Sequence, residues 1–345
     1  MPPSDSPILD DIKSAASELI DPVIDALNDN PWPRRLIHAC NAAYLIEDRR
    51  LASGLPLLDE AGLQKGTRPL VFVSGLHDVH AGFVCRTDDG GLLVTFRGTL
   101  PPQDMIFWRW ATDWLHDAQT VPMPWTVGER EYGQVASAFG IAVSSLATDL
   151  LETLETLNAG SASAIRVTGH SKGGAMACLG ATLIRAQYPD RHIEVCSFAA
   201  PMTADQDFID CYNEDGLLAR TARFQNALDP VPYLPGGPQV RERVDGDARL
   251  DDAKKLMLVE DAIKALPAWP YRQFGHLHFM HEEDGRIQHD EEAENAAWDA
   301  IIEAIVKMRF REMIDAHSGA QRYLTSLCPD EGAETEAALE QIKPA

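Results

Sequence analysis

The segment Gly169-His170-Ser171-Lys172-Gly173-Gly174 holds the residue types of an activated nucleophile. It follows a short apolar run, Ile165-Arg166-Val167-Thr168, and leads into the small residues Ala175, Met176 and Ala177 of a helix start. On so tight a strand-to-helix turn a serine projects above the sheet. Glycines at 169 and 173 remove the Cβ atoms that would strike the neighbouring strand or helix. A serine hydroxyl attacks a carbonyl only when a histidine takes its proton and an acid orients that histidine. The chemistry in view is acyl transfer through a covalent intermediate, and it calls for no cofactor.

The acid belongs on a turn just after a sheet strand, ahead of the histidine in the chain. Thr221 to Asn226 reads as such a strand, and Asp229 follows it in Ala227-Leu228-Asp229-Pro230. Prolines at 230, 232 and 235 predict a rigid, extended segment that pins the carboxylate's backbone. Asp205 and Asp207 are rival acids, and a capping role for Asp229 is the alternative reading. Five histidines follow: His276, His278, His281, His289 and His317. Gly275 to His281 alternates as a strand does, which puts His276 and His278 on one face, where a metal is conceivable. No carboxylate or cysteine stands at a characteristic ligand spacing, so no metal is assigned. His317 lies at a break between two helical stretches, a position that suits a base. The oxyanion needs donors. One is the backbone N–H of Lys172; the second is expected at the end of the strand Val94-Thr95-Phe96, where Thr99 offers both a backbone N–H and a hydroxyl.

These groups must be held by alternating strands and helices. Leu70 to Ser74, Gly82 to Arg86 and Leu92 to Phe96 read as strands, the last two joined at Asp88-Asp89-Gly90-Gly91. Residues 128 to 158 read as one long helix, Ala164 to Thr168 as a strand, Gly173 to Gln187 as a helix and Ile193 to Ala199 as a strand. Residues 291 to 327 are helical again. The alternation predicts an α/β fold with a mainly parallel central sheet flanked by helices. Before it, Ile8, Leu9, Ile12, Leu19, Ile20, Val23, Ile24 and Leu27 recur at three- and four-residue steps, the mark of an amphipathic helix that docks on the body or, alternatively, meets a partner or a membrane surface, the last disfavoured by its acidic face. The resulting division is an extension over 1–34, a main domain over 35–328 and an acidic tail over 329–345.

Charge narrows the partners. Lys and Arg number 30 against 53 Asp and Glu, for a formal net charge of -23, which repels nucleic acid and anionic lipid alike. Neutral esters and neutral lipid surfaces remain available, and no protein partner is indicated. No stretch approaches the roughly 20 apolar residues of a membrane span, and the first basic residue is Lys13. Cytoplasmic residence is the default, with export by an unconventional route left open. The six cysteines lack Cys-x-x-Cys spacing, so reduced, mostly buried thiols are expected.

Taken together, VTFRGT at 94–99, DWLHDA at 113–118, VTGHSKGGAMA at 167–177, LDPVPYLP at 228–235 and HSGAQRYLTSL at 317–327 resemble the class 3 lipase family, the fungal-lipase-like branch of the α/β-hydrolases. The resemblance runs over roughly 35–327 and looks like that of an intracellular bacterial member. It implies a triad on Ser171, Asp229 and His317, with Thr99 and Lys172 as the oxyanion hole, and it favours His317 over His276. It also implies lipid or small ester substrates. Three departures stand out. Val135-Ala136-Ser137-Ala138-Phe139 lacks the family's histidine and glycine. Lys172 replaces a common leucine, bringing a cation that could favour acidic or polar head groups. The separation of Asp229 from His317 exceeds that of the compact fungal lipases, so an insertion is expected over 236–290.

In those lipases a mobile lid follows the oxyanion residue. Here the matching segment runs from Pro101 to Trp114, and Met105, Phe107, Trp108 and Trp110 are the lid and substrate-binding candidates. A phospholipase or acyltransferase using the same triad, or an idle scaffold that binds through the Trp-rich loop, are the competing functions.

Overall fold

The computed structural model describes residues 30–51, 56–75, 78–99, 121–251, 268–282, 286–290, 292–317 and 322–328. The amphipathic stretch 8–27, the lid candidates Met105, Phe107, Trp108 and Trp110, and the tail 329–345 lie outside them.

An eight-stranded mixed sheet organises the chain. Its strands are β1 (Leu70–Ser74), β2 (His80–Arg86), β3 (Leu92–Phe96), β6 (Ile165–His170), β7 (Ile193–Phe198), β8 (Thr221–Asn226), β9 (His276–Met280) and β10 (Ile287–Gln288), in that spatial order. Strands β3, β6, β7, β8 and β9 are parallel neighbours, while β1, β2 and β10 close the two edges antiparallel. The sheet therefore matches the mainly parallel α/β expectation, and the stretch 236–290 supplies its last two strands. Every residue of β3 is buried, as a central strand covered on both faces requires.

Each face has its own apolar layer, and side chains alternate between them. Leu92, Val94 and Phe96 join Val84, Ile165 and Val167 on one face; Leu93, Phe83 and Cys85 join Phe198 and Phe224 on the other. The first face is covered by α3 (Ser137–Thr156), α4 (Lys172–Gln187) and α7 (Ala293–Val306). The second is covered by α1 (Trp32–Ala43), the short α2 (Pro56–Glu60) and α9 (Leu324–Leu327). The remaining helices are α5 (Gln206–Glu214), α6 (Pro238–Gly246) and α8 (Phe310–Ala316). The Arg166 guanidinium lies 3.7 Å from the Trp32 ring centroid and pairs with Asp89 and Glu194, fastening α1 over β6.

One long element reads differently from its composition. Residues 128–158 are not a single helix: β4 (Pro122–Val127) and β5 (Arg130–Ala136) form a separate hairpin, and the helix begins at Ser137. The turn uses Gly128 at positive φ, while Tyr132 and Val135 bury against Trp125 and α3 in the core. Tertiary burial of these aromatic and β-branched side chains outweighs the stretch's helical composition. The six cysteines form no disulfide, and all but Cys211 are buried. Among the described residues no helix is long and apolar enough to cross a membrane.

Leu146 is fully buried on the sheet-facing side of α3. Truncation leaves a cavity that a packed helix-on-sheet layer cannot fill. Leu146→Ala should lower the unfolding free energy by about 3 kcal/mol, read as a lower urea midpoint with unchanged slope; a loss below 1 kcal/mol would show that the layer can collapse.

Candidate active site

The C-terminal ends of the parallel strands converge on one rim of the sheet. Ser171 stands where β6 turns into α4, with φ 58 and ψ -130, a left-handed conformation that a side-chain-bearing residue adopts only when its surroundings hold it. The turn is tight enough that a Cβ at position 169 would fall 2.1 Å from the Gly173 carbonyl oxygen, and one at 173 would fall 2.3 Å from that of Phe96. Both glycines are therefore dictated by close backbone approach. The hydroxyl projects to the rim, though Ser171 as a residue is only 5% exposed.

Asp229 follows β8 and is completely buried. Its Oδ1 accepts from the Val231 N–H at 2.9 Å, and its Oδ2 accepts from the Tyr323 hydroxyl at 2.7 Å. Both oxygens lie 3.0 Å from His317 Nδ1. The expected extended segment after Asp229 is instead a 3-10 turn, Val231–Tyr233. Pro232 fits there because the first positions of a helical turn have no N–H partner to lose. His317 caps the C-terminus of α8, and its Nε2 lies 2.9 Å from Ser171 Oγ. An unbroken line of contacts thus joins hydroxyl, imidazole and carboxylate. With Nδ1 donating to the carboxylate, Nε2 is free to accept from the serine.

The rival acids and bases fall elsewhere. Asp205 is the N-cap of α5, accepting from the Phe208 N–H at 3.0 Å, and Asp207 sits in that helix's first turn. His281 contacts Gln288, and His276 is exposed. His278 is buried, stacks on Phe224 with 4.6 Å between centroids, and neighbours His289. Among the described residues no group of three or more His, Cys, Asp or Glu side chains could hold a metal ion.

Of the oxyanion candidates, Lys172 opens α4, where a helix's first N–H groups have no intrahelical partner. Thr99 follows Arg97 and Gly98 beyond β3. The parallel register sets Phe96 beside Gly169, and a Cβ at Gly98 would lie 2.6 Å from the His170 carbonyl oxygen. Thr99 is therefore carried by a loop packed directly against the elbow.

Sequence reasoning assigned no contact to three supporting side chains, one of which, Tyr323, it met only as part of the family resemblance. His170 Nε2 lies 2.9 Å from the carbonyl oxygen of His317, so it must donate, which leaves Nδ1 to accept from the Tyr44 hydroxyl at 2.9 Å. Burial, with His317 nearby, holds the His170 pKa well below the ordinary value, consistent with a neutral ring in that tautomer. Tyr323 both donates to Asp229 and accepts from the Asn226 N–H at 3.0 Å. The variable position inside Gly-x-Ser-x-Gly gave no signal for His170, and Tyr44 lies far away in sequence.

Comparison with known families agrees with this geometry. Residues 93–238 match the class 3 lipase family model, "Lipase (class 3)". This stretch is similar to the class 3 lipases. The match supports the reaction class, hydrolysis of carboxylic esters. The class 3 lipase segment contains Ser171 and Asp229, whereas His317 lies beyond it. Among solved structures, a Rhizomucor miehei triacylglyceride lipase aligns at TM-score 0.52 and 17% identity, covering 76% of this chain and 83% of that one. A structure described as a fungal lipase aligns at TM-score 0.56 and 15% identity over 89% and 98%. A triacylglycerol lipase described as having a serine protease triad aligns at TM-score 0.52 and 15% identity over 76% and 87%. At these identities the likeness is one of fold. No curated protein sequence matches the chain.

Two measurements probe this neighbourhood. Burial first, and then His289, His276 and Arg223, lower the His278 pKa from 6.5 to about 4. The unfolded chain thus takes up a proton below pH 6.5 that the folded chain refuses, so this contribution is intact above pH 6.5 and is lost as pH falls toward 4. It amounts to about 2 kcal/mol by pH 5. His278→Phe should flatten the acid side of the urea-midpoint profile, and an identical profile would refute the assignment. Tyr323→Phe strands the Asn226 N–H and takes a donor from Asp229. Unfolding free energy should drop by about 2 kcal/mol, and a neutral effect would mean that water replaces the hydroxyl.

Proposed function

We propose that this protein hydrolyses lipid or other carboxylic esters through an acyl-enzyme on Ser171, with His317 as the base, Asp229 as its orienting acid, and Thr99 with the Lys172 N–H as the oxyanion hole. The observation that carries the reading is the continuous Ser171–His317–Asp229 hydrogen-bonded line, with 2.9 Å and 3.0 Å contacts on its two sides.

In the first half, Ser171 Oγ bonds to the ester carbonyl carbon as its proton passes to His317 Nε2. Negative charge gathers on the carbonyl oxygen, where fixed N–H dipoles stabilise it without reorganising. The tetrahedral species collapses, the carbon–alkoxy bond breaks, and His317 returns the proton to the departing alcohol. In the second half water repeats the sequence on the acyl-serine, releasing the acid and restoring the hydroxyl. Asp229 stays ionised throughout and stabilises the imidazolium. The His170 donation to the His317 carbonyl fixes the backbone from which the imidazole hangs, so ring position and ring tautomer are set by separate contacts.

The class 3 lipase match favours acylglycerol-like substrates, and the fungal lipases of similar fold support that choice. Ser171→Ala should abolish turnover of a nitrophenyl ester and labelling by a fluorophosphonate while leaving the thermal midpoint within a few degrees. Labelling of the intact protein separates an activated serine from an idle scaffold. Retained turnover in the variant would overturn the proposal.

A further inference from the structure

The residue after the nucleophile places positive charge where helix stability argues against it. A helix N-terminus carries partial positive charge and favours Asp or Glu in its first turn. In α4 the first turn holds no acidic residue, and its first residue is Lys172. The ammonium is half-buried, and the one hydrogen bond it makes among the described residues is to His80 Nδ1 at 3.0 Å. Burial, and then Lys172 and Arg97, pull the His80 pKa down to about 4, so the ring is a neutral acceptor and supplies no counter-charge. Among the described residues, two of the three ammonium donors find no partner.

Arg97 adds to the imbalance. Its guanidinium is buried behind the oxyanion loop and donates to the backbone carbonyls of Ile46 and Asp78, which solvate the charge without cancelling it. The Asp78 carboxylate acts on Arg97 through space, but it is shared with Arg49 at 3.9 Å. Burial and Arg97 lower the Lys172 pKa to about 8, which still leaves the ammonium mostly charged at neutral pH. His80 opens β2, which runs antiparallel to β3, so it lies at the same rim as Ser171 and Thr99. A cation, a second buried cation and a helix N-terminus therefore meet beside the nucleophile in a chain whose formal charge is -23. A local rule broken, with no carboxylate among the described residues bonded to the ammonium to compensate, is the mark of a functional position.

Resting on the reading of Ser171 as an ester-cleaving nucleophile, we infer that the Lys172 ammonium, held by His80, recognises a small oxyanion on the substrate, a carboxylate or phosphate a few atoms from the scissile carbonyl. The favoured substrates are then anionic esters, such as monoesters of dicarboxylic acids or acyl glycerophosphates, ahead of fully neutral ones. Acyl-chain packing and the triad are common to both classes. The ammonium is the group that tells them apart.

The test compares kcat/KM for nitrophenyl butyrate with that for the mono-nitrophenyl ester of glutaric acid, and in a second arm diacylglycerol with phosphatidic acid. The unaltered protein should prefer the anionic member of at least one pair, which decides between carboxylate and phosphate; parity in both pairs overturns the inference. Lys172→Met should lower the anionic-to-neutral ratio about tenfold, whatever common change affects both rates, and Lys172→Arg should keep it. An unaltered ratio in Lys172→Met overturns the inference while the Ser171 reading stands. If the unaltered protein turns over no ester, both fall.

Discussion

The burial of one carboxylate governs this site. Asp229 has no exposed surface, and an ionised carboxyl group in such a place is tolerable only when its oxygens are saturated with donors. The donors come from three parts of the chain. The Val231 N–H belongs to the turn after β8, the Tyr323 hydroxyl to the segment before α9, and His317 Nδ1 to the end of α8. Satisfying the acid therefore forces the C-terminal segments onto the sheet rim, and the imidazole arrives over Ser171 as part of the same arrangement. The fold is built so that solvating Asp229 and assembling the reactive line are one event.

The elbow is the second constraint, and it is steric. Gly173 presses on the Phe96 carbonyl, and Gly98 presses on that of His170. Neighbouring parallel strands β3 and β6 are thereby locked at their ends, which brings the loop bearing Thr99 and the helix start bearing Lys172 side by side. Rigid contact of backbone on backbone suits a site whose donors must be in place before charge develops.

Much of this was legible in the sequence, for identifiable reasons. Strands β1, β3 and β8 were read with the bounds that the structure gives; for β3, buried throughout, an unbroken apolar run is the signal. The elbow was legible because glycine spacing records a close approach directly. The hairpin β4–β5 was not, since its strands make their case through partners distant in sequence: Tyr132 and Trp125 are buried by contacts that no local window contains. The same limit hid Tyr44 and His170, whose importance lies in a bond between residues 126 positions apart. The resemblance to class 3 lipases worked where periodicity could not, by choosing among five downstream histidines; the chosen one, His317, lies 2.9 Å from Ser171 Oγ and 3.0 Å from the Asp229 carboxylate.

The His170 ring, gripped by Tyr44 near one end of the described chain and by the His317 carbonyl near the other, has a consequence for biosynthesis. Ribosomes deliver a chain from its N-terminus, and early segments begin to pack before late ones exist. A growing chain that has just released β6 and α4 already carries the serine elbow, yet Asp229 and all three of its donors, His317 among them, have still to be made. On the proposed reading, Ser171 therefore has no base to activate it until the C-terminal segments are made and docked.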